Sequence, residues 1–121
     1  RVEHPAAQKL KKRAGEPFTL TLVENPDIAR AVGERKQPGQ VLVGFAAETD
    51  DLLAHAQEKL DHKGADLIVA NDVSRPESTF GADTNRVALV TANGIEQLDT
   101  MPLANVADAI LDWVRNHASR Q

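Results

Sequence analysis

Apolar and polar positions switch between two periods along the chain, and the switches mark its elements. Val41, Leu42 and Val43 form an apolar run that ends at Gly44-Phe45. From about Asp50 to His62 the period becomes helical, with Leu52, Leu53, Ala56 and Leu60 on one stripe. Gly64 stops that helix, and a second apolar run, Leu67 to Ala70, ends in Asn71-Asp72. Strand, crossover helix and strand make a βαβ unit with parallel pairing. Phe45 and Asn71-Asp72 then fall at one edge of the sheet, where open α/β sheets place their ligands.

The flanking pattern extends this unit. Pro17 to Val23 alternates as a strand, with Phe18, Leu20 and Leu22 on one face. Asn25-Pro26-Asp27 opens a helix, with Asn25 as N-cap and Pro26 at the first helical position, and Gly33 or Gln37-Pro38-Gly39 ends it. Ser74 to Thr84 is a loop rich in turn formers, long enough to be functional. Arg86 to Thr91 alternates again, Asn93-Gly94 signals a hairpin, and Ile95 to Leu98 returns as an antiparallel strand. Pro102 starts a last helix along Leu103, Val106, Ala107, Ile110, Leu111 and Val114. The expected fold class is α/β: a three-layer, Rossmann-like domain with a mainly parallel sheet and an antiparallel hairpin extension.

Composition narrows the chemistry. The 121 residues suit one domain, and with 3% aromatics its core must be aliphatic. There is no cysteine, so a disulfide framework, a thiolate zinc site and a Cys nucleophile are excluded within these residues. A net charge of −4 argues against a general nucleic-acid surface, and no apolar run approaches a membrane span. His4, His55, His62 and His117 lack metal-ligand spacing, so no metal ligand is assigned, and His55 and His62 read as solvated. Residues 1–16 carry neither strand nor helix pattern and no initiating Met. They read as a mobile loop, and the chain is expected to be part of something longer.

Several residues have a bland and a functional reading. Lys9, Lys11, Lys12 and Arg13 are four cations in five positions: a solvated segment, or a flap that closes over phosphates. Asp27 complements the positive helix end, and the first-turn N–H groups could serve a ligand. Phe45 is core by default, with base stacking as its alternative. Glu48 and Thr49 could contact ligand or cap the following helix. Lys59 and Lys63 stand one turn apart at the flank of the apolar stripe. Their helix runs away from the ligand edge, so pattern alone leaves both in solvent.

Taken together, Lys9-Leu10-Lys11-Lys12, Asn25-Pro26-Asp27-Ile28, Gly44-Phe45-Ala46-Ala47-Glu48-Thr49, the pair Lys59 and Lys63, Asp66 to Val73 and Asp83-Thr84-Asn85-Arg86-Val87 resemble, in order and spacing, the C-terminal part of phosphopantothenoylcysteine synthetase. That ligase is commonly fused behind an FMN-dependent decarboxylase, so FMN would belong only to the upstream domain. The resemblance implies a cytoplasmic enzyme of coenzyme A biosynthesis. It would activate the carboxylate of 4′-phosphopantothenate with CTP and Mg²⁺, then join it to cysteine. It also implies that Lys9 is catalytic and contacts nucleotide phosphate. Pro26, Asp27, Ile28 and Ala29 would hold CTP, Phe45 would line the cytidine site, and Lys59 and Lys63 would complete nucleotide binding. A homodimer is implied as well. The family's glycine-rich nucleotide loop and the Asn that handles the acyl-cytidylate have no counterpart in these 121 residues, so the chain alone is expected not to turn over. The alternative is a non-catalytic dimerisation or nucleotide-binding module.

Overall fold

The computed structural model describes residues 1–5, 14–79 and 81–118. Helix α1 spans Ile28–Arg35, strand β1 Val43–Glu48, helix α2 Leu52–Lys63 and strand β2 Leu67–Asp72. A single 3₁₀ turn at Pro76–Ser78 follows. Then come β3 (Thr84–Asn85), β4 (Val87–Thr91), β5 (Gly94–Gln97), β6 (Met101–Pro102) and α3 (Leu103–Ala118). One four-stranded sheet has the order β1-β2-β4-β5, and β3 pairs with β6 in a small second sheet.

The βαβ unit expected from the pattern is present: β1 and β2 pair in parallel, with Phe45 opposite Val69 and Glu48 opposite Asp72. Gly64 closes α2 in the left-handed conformation at φ 62°, as a glycine C-cap does. The parallel character is confined to this pair. The chain between β2 and β4 contains a three-residue 3₁₀ turn in place of a crossover helix, and β4 comes back antiparallel. The hairpin is present too, closed by Ala92-Asn93, with Thr91 opposite Gly94.

Alternation along the strands divides the interior in two. Ala46, Ile68, Ala70, Ala88 and Val90 face α2 and pack with Ala56 and Leu60. Leu67, Val69, Val87 and Leu89 face α3 and pack with Val106, with Val43, Ile110 and Trp113 alongside. The middle strands β2 and β4 are buried on both faces, hence their nearly unbroken aliphatic runs.

Two joints fix α1 and β1. Asp66, just before β2, accepts from Leu42 N at 2.8 Å and from Lys36 Nζ at 2.6 Å. Gly33 lies inside α1 against the end of α2, where a Cβ would stand 1.9 Å from the Lys63 carbonyl oxygen, so no larger residue fits.

The segment Pro17 to Val23 departs from its pattern. It forms no ladder among the described residues. Leu22 makes an isolated bridge to Val2, and Phe18, Leu20 and Leu22 are exposed. Alternation gave it two faces, but no neighbouring strand takes its backbone groups beyond the bonds to Arg1 and Glu3. Helix α1 also starts later than expected. Its N-cap is Asp27, whose Oδ1 accepts from Arg30 N at 3.0 Å, and Gly33 does not end it.

Candidate functional site

The candidate site lies around β1, the outer strand of the sheet. On the α2 side, Glu48 ends the strand. Its Oε1 accepts from Lys59 Nζ at 2.5 Å, and His55 Nδ1 lies 3.4 Å from Oε2. One turn further along α2, Lys63 Nζ donates to Asp27 at 2.9 Å and 3.1 Å, and His62 Nε2 lies 3.9 Å from the same carboxylate. Each carboxylate thus meets one lysine and one histidine: Glu48 takes Lys59 and His55, and Asp27 takes Lys63 and His62. Glu48, His55, Glu58, Lys59 and His62 line a shallow hollow of about 270 Å³.

These contacts revise the pattern-based reading of both lysines. Helical side chains lean toward the helix N-terminus. Lys59 reaches back along α2 and arrives at the C-terminal end of β1, the ligand edge, while Lys63 reaches the start of α1. His55 and His62 are each about half exposed and sit beside a carboxylate, not in open solvent alone. The Lys59 hydrogen bond holds the Glu48 carboxyl below its ordinary value. The Lys63 bond, aided by Arg30 N–H, does the same for Asp27.

At the start of α1, Asp27 is the cap, and Ile28 and Ala29 fill the first two helical positions. Their N–H groups have no carbonyl four residues back within the helix. Ile28 is 75% exposed, unusual for a large aliphatic residue. Pro26 directly precedes the cap. Lys9 lies outside the described residues.

Phe45 is not a core residue. It is 73% exposed and lies on the other face of β1, at a cavity of about 450 Å³ between the sheet and α3. Ala47, Asn71, Asn85, Val106 and Ile110 also line this cavity. The Oδ1 atoms of Asn71 and Asn85 are buried there without a hydrogen-bond partner among the described residues. Orphaned buried carbonyl oxygens are costly, and they mark places where a ligand donor belongs. The sequence places Asn71 at the ligand edge and Asn85 within the Asp83 to Val87 motif, and it gives neither a role.

The structure therefore brings Asp27, Ile28, Ala29, Lys59 and Lys63 together on one side of β1 and sets Phe45 on the other. Arg75 and Arg86 line a further cavity of about 380 Å³ above the start of α2, together with Asp72. Ser74 and Arg75 hydrogen-bond Asp72 and hold its carboxyl below the ordinary value. Among the described residues no group of three His, Cys, Asp or Glu side chains could hold a metal ion, and no helix is long and apolar enough to cross a membrane.

Known proteins resemble this chain over most of its length. The chain is 45% identical over 107 residues to the coenzyme A biosynthesis bifunctional protein CoaBC of Bacillus subtilis, covering 88% of this chain and 26% of that protein. It is 42% identical over 111 residues to CoaBC of Escherichia coli K12, covering 90% and 27%. A cysteine/cysteine sulfinic acid decarboxylase of an unknown prokaryotic organism is 37% identical over 105 residues, 86% of this chain and 29% of that protein. Among solved structures, the C-terminal domain of CoaBC superposes with a TM-score of 0.70 at 31% identity, over 84% of this chain and 46% of that one. The chain thus spans under a third of these curated relatives and a little under half of the solved domain. Residues 1–117 match the family described as the DNA/pantothenate metabolism flavoprotein C-terminal domain, and the chain belongs to that family, homologous to the phosphopantothenoylcysteine synthetase part of CoaBC.

Proposed function

We propose that this chain is part of a CTP-dependent ligase of coenzyme A biosynthesis, acting on 4′-phosphopantothenate and cysteine. The observation that carries the reading is the pair of lysines on α2, drawn to the end of β1 and the start of α1 inside a chain that matches the family over residues 1–117. In this reading the acid's carboxylate attacks the α-phosphorus of CTP and displaces pyrophosphate. The cysteine amine then attacks the acyl carbon of the acyl-cytidylate, and CMP leaves as the amide forms. Such chemistry needs positioning and cations at the phosphates more than a side-chain nucleophile.

Lys59 and Lys63 bind the triphosphate, each with N–H donors to spare beyond its carboxylate. Ile28 and Ala29 offer first-turn N–H groups, and Asp27 accepts from the base or sugar. Phe45 gives the cytidine a flat surface, and Asn71 and Asn85 offer acceptors beside it. Lys9 closes over the phosphates and stabilises the charged intermediate. Mg²⁺ would arrive coordinated to the triphosphate, where it would neutralise phosphate charge. FMN has its place in an upstream decarboxylase, and a homodimer in the cytoplasm is the proposed working form.

The test is pyrophosphate release by the full-length protein. Release from CTP should require phosphopantothenate, and Lys9→Gln should abolish cysteine-dependent turnover. A fully active Lys9→Gln protein would remove the flap from the mechanism. CTP at a hundred times its dissociation constant should add about 2.7 kcal/mol of stability. No CTP-induced stabilisation would favour a nucleotide-free dimerisation module.

A further inference from the structure

We propose that Glu48 is a positioning residue: its carboxylate draws the Lys59 ammonium to the end of β1, where the nucleotide phosphates would lie. This deepens the CTP-dependent reading and rests on it.

The argument starts from helix geometry. Lys59 lies seven residues after Leu52, so its Cα stands roughly 10 Å along α2 from the ligand edge. A lysine stem is flexible, and the Lys59 side chain is 41% exposed, so nothing in its own packing directs the ammonium. Glu48 supplies the direction. It is the last residue of β1, its Cα opposes Asp72, and its carbonyl accepts from Val73 N at 3.1 Å. The carboxylate therefore stands on a rigid element. Its two oxygens are divided: Oε1 takes Lys59, and Oε2 faces His55. His55 thus flanks the second oxygen while the first takes the lysine.

A bare structural tie between α2 and β1 explains less. An ion pair near the surface contributes modestly to stability, and here the lysine keeps 41% and the glutamate 16% of its side chain exposed. Helix α2 is already anchored by Ala56 and Leu60, both buried against the sheet. The fold does not need this pair, whereas a ligand that must find Lys59 at the strand end does. Lys63 shows the same device, with Asp27 as its holder.

The experiment measures CTP affinity by calorimetry, and the nucleotide KM and kcat, on the full-length protein. Glu48→Ala should raise the CTP dissociation constant and KM about tenfold with kcat nearly kept. Glu48→Gln, whose side-chain carbonyl still accepts from Lys59, should stay within about twofold of wild type. On a Lys59→Ala background, Glu48→Ala should change neither constant further, because nothing remains to be positioned. Unchanged affinity in Glu48→Ala overturns the proposal, as do effects additive with Lys59→Ala. A Glu48→Gln as weak as Glu48→Ala would point to charge in place of position and overturn it as well. Loss of folding in Glu48→Ala would make the pair structural, with the same result. Failure of the wild type to bind CTP at all would instead remove the ligase reading and this proposal with it.

Discussion

The two faces of the sheet are finished differently. Toward α2, every strand-end carboxylate is engaged: Glu48 by Lys59 and His55, Asp72 by Ser74 and Arg75. Toward α3, the same strands end at an open cavity with an exposed phenylalanine and two carbonyl oxygens that have no hydrogen-bond partner among the described residues. One face offers cations already held in place, and the other offers a flat apolar surface with unmet acceptors. A nucleotide has both needs, phosphates at one end and a base at the other. The outer strand β1 separates them because Phe45 and Glu48, three positions apart, alternate to opposite faces.

The largest expected effect tests that division directly. Removing both cations (Lys59→Ala with Lys63→Ala) should weaken CTP binding by roughly a hundredfold or more, at ~1.5–3 kcal/mol for each charge-assisted contact. Phe45→Ala should cost about tenfold, in the range of one base–aromatic stack. Since the two groups share no contact, the losses should add in the triple variant, as titration calorimetry can show. Strong non-additivity would mean that one pocket, not two, carries the ligand.

Much of this molecule is legible in its sequence, and the limits have physical causes. The unit from β1 through α2 to β2 follows from a change of period punctuated by Gly64, because each signal is local. The family likeness is equally legible, since its motifs are contiguous. The strand expected at Pro17 to Val23 fails because alternation reports which residues share a face, not whether another strand is there to pair. Lys59 was misplaced by pattern because helix geometry locates its Cα, while the ammonium goes where a carboxylate eleven positions earlier draws it. Asn85 stands in the sequence only as part of the Asp83 to Val87 motif, without a role, since a buried oxygen left unpaired among the described residues arises from packing around β2, β3 and α3.

A smaller effect concerns the frame that holds β1. Asp66 is pushed up by burial, but Lys36 and the Leu42 N–H outweigh that and leave its carboxyl below the ordinary range, with His117 adding to the attraction. A carboxyl lowered on folding stabilises above its unfolded pKa of about 3.9, and that stability is lost as pH falls through the lower folded value. Asp66→Asn should therefore cost about 2 kcal/mol at pH 7, as expected for lost hydrogen bonds to a charged group. In urea titrations the gap to wild type should close toward pH 3. A gap independent of pH would mean that Asp66 acts through shape alone.

The smallest effect has the opposite sign, and it bears most closely on the α3 face. Asn71 Oδ1 is buried without a hydrogen-bond partner among the described residues. A buried unsatisfied carbonyl costs ~1–3 kcal/mol, whereas an apolar group of similar shape in its place is neutral or stabilising. Asn71→Leu should then raise stability by about 1 kcal/mol, read as a higher urea midpoint with an unchanged slope. CTP affinity should fall in the same variant, because the ligand loses the acceptor that the free protein keeps at a cost. A residue maintained for packing could not behave this way, since its replacement would weaken the fold and leave binding untouched. Stability and affinity moving in opposite directions would identify the cavity beside Phe45 as built for an N–H or O–H donor. If they fall together, Asn71 belongs to the frame, and the phosphate side of β1 would remain the sole anchor for the nucleotide.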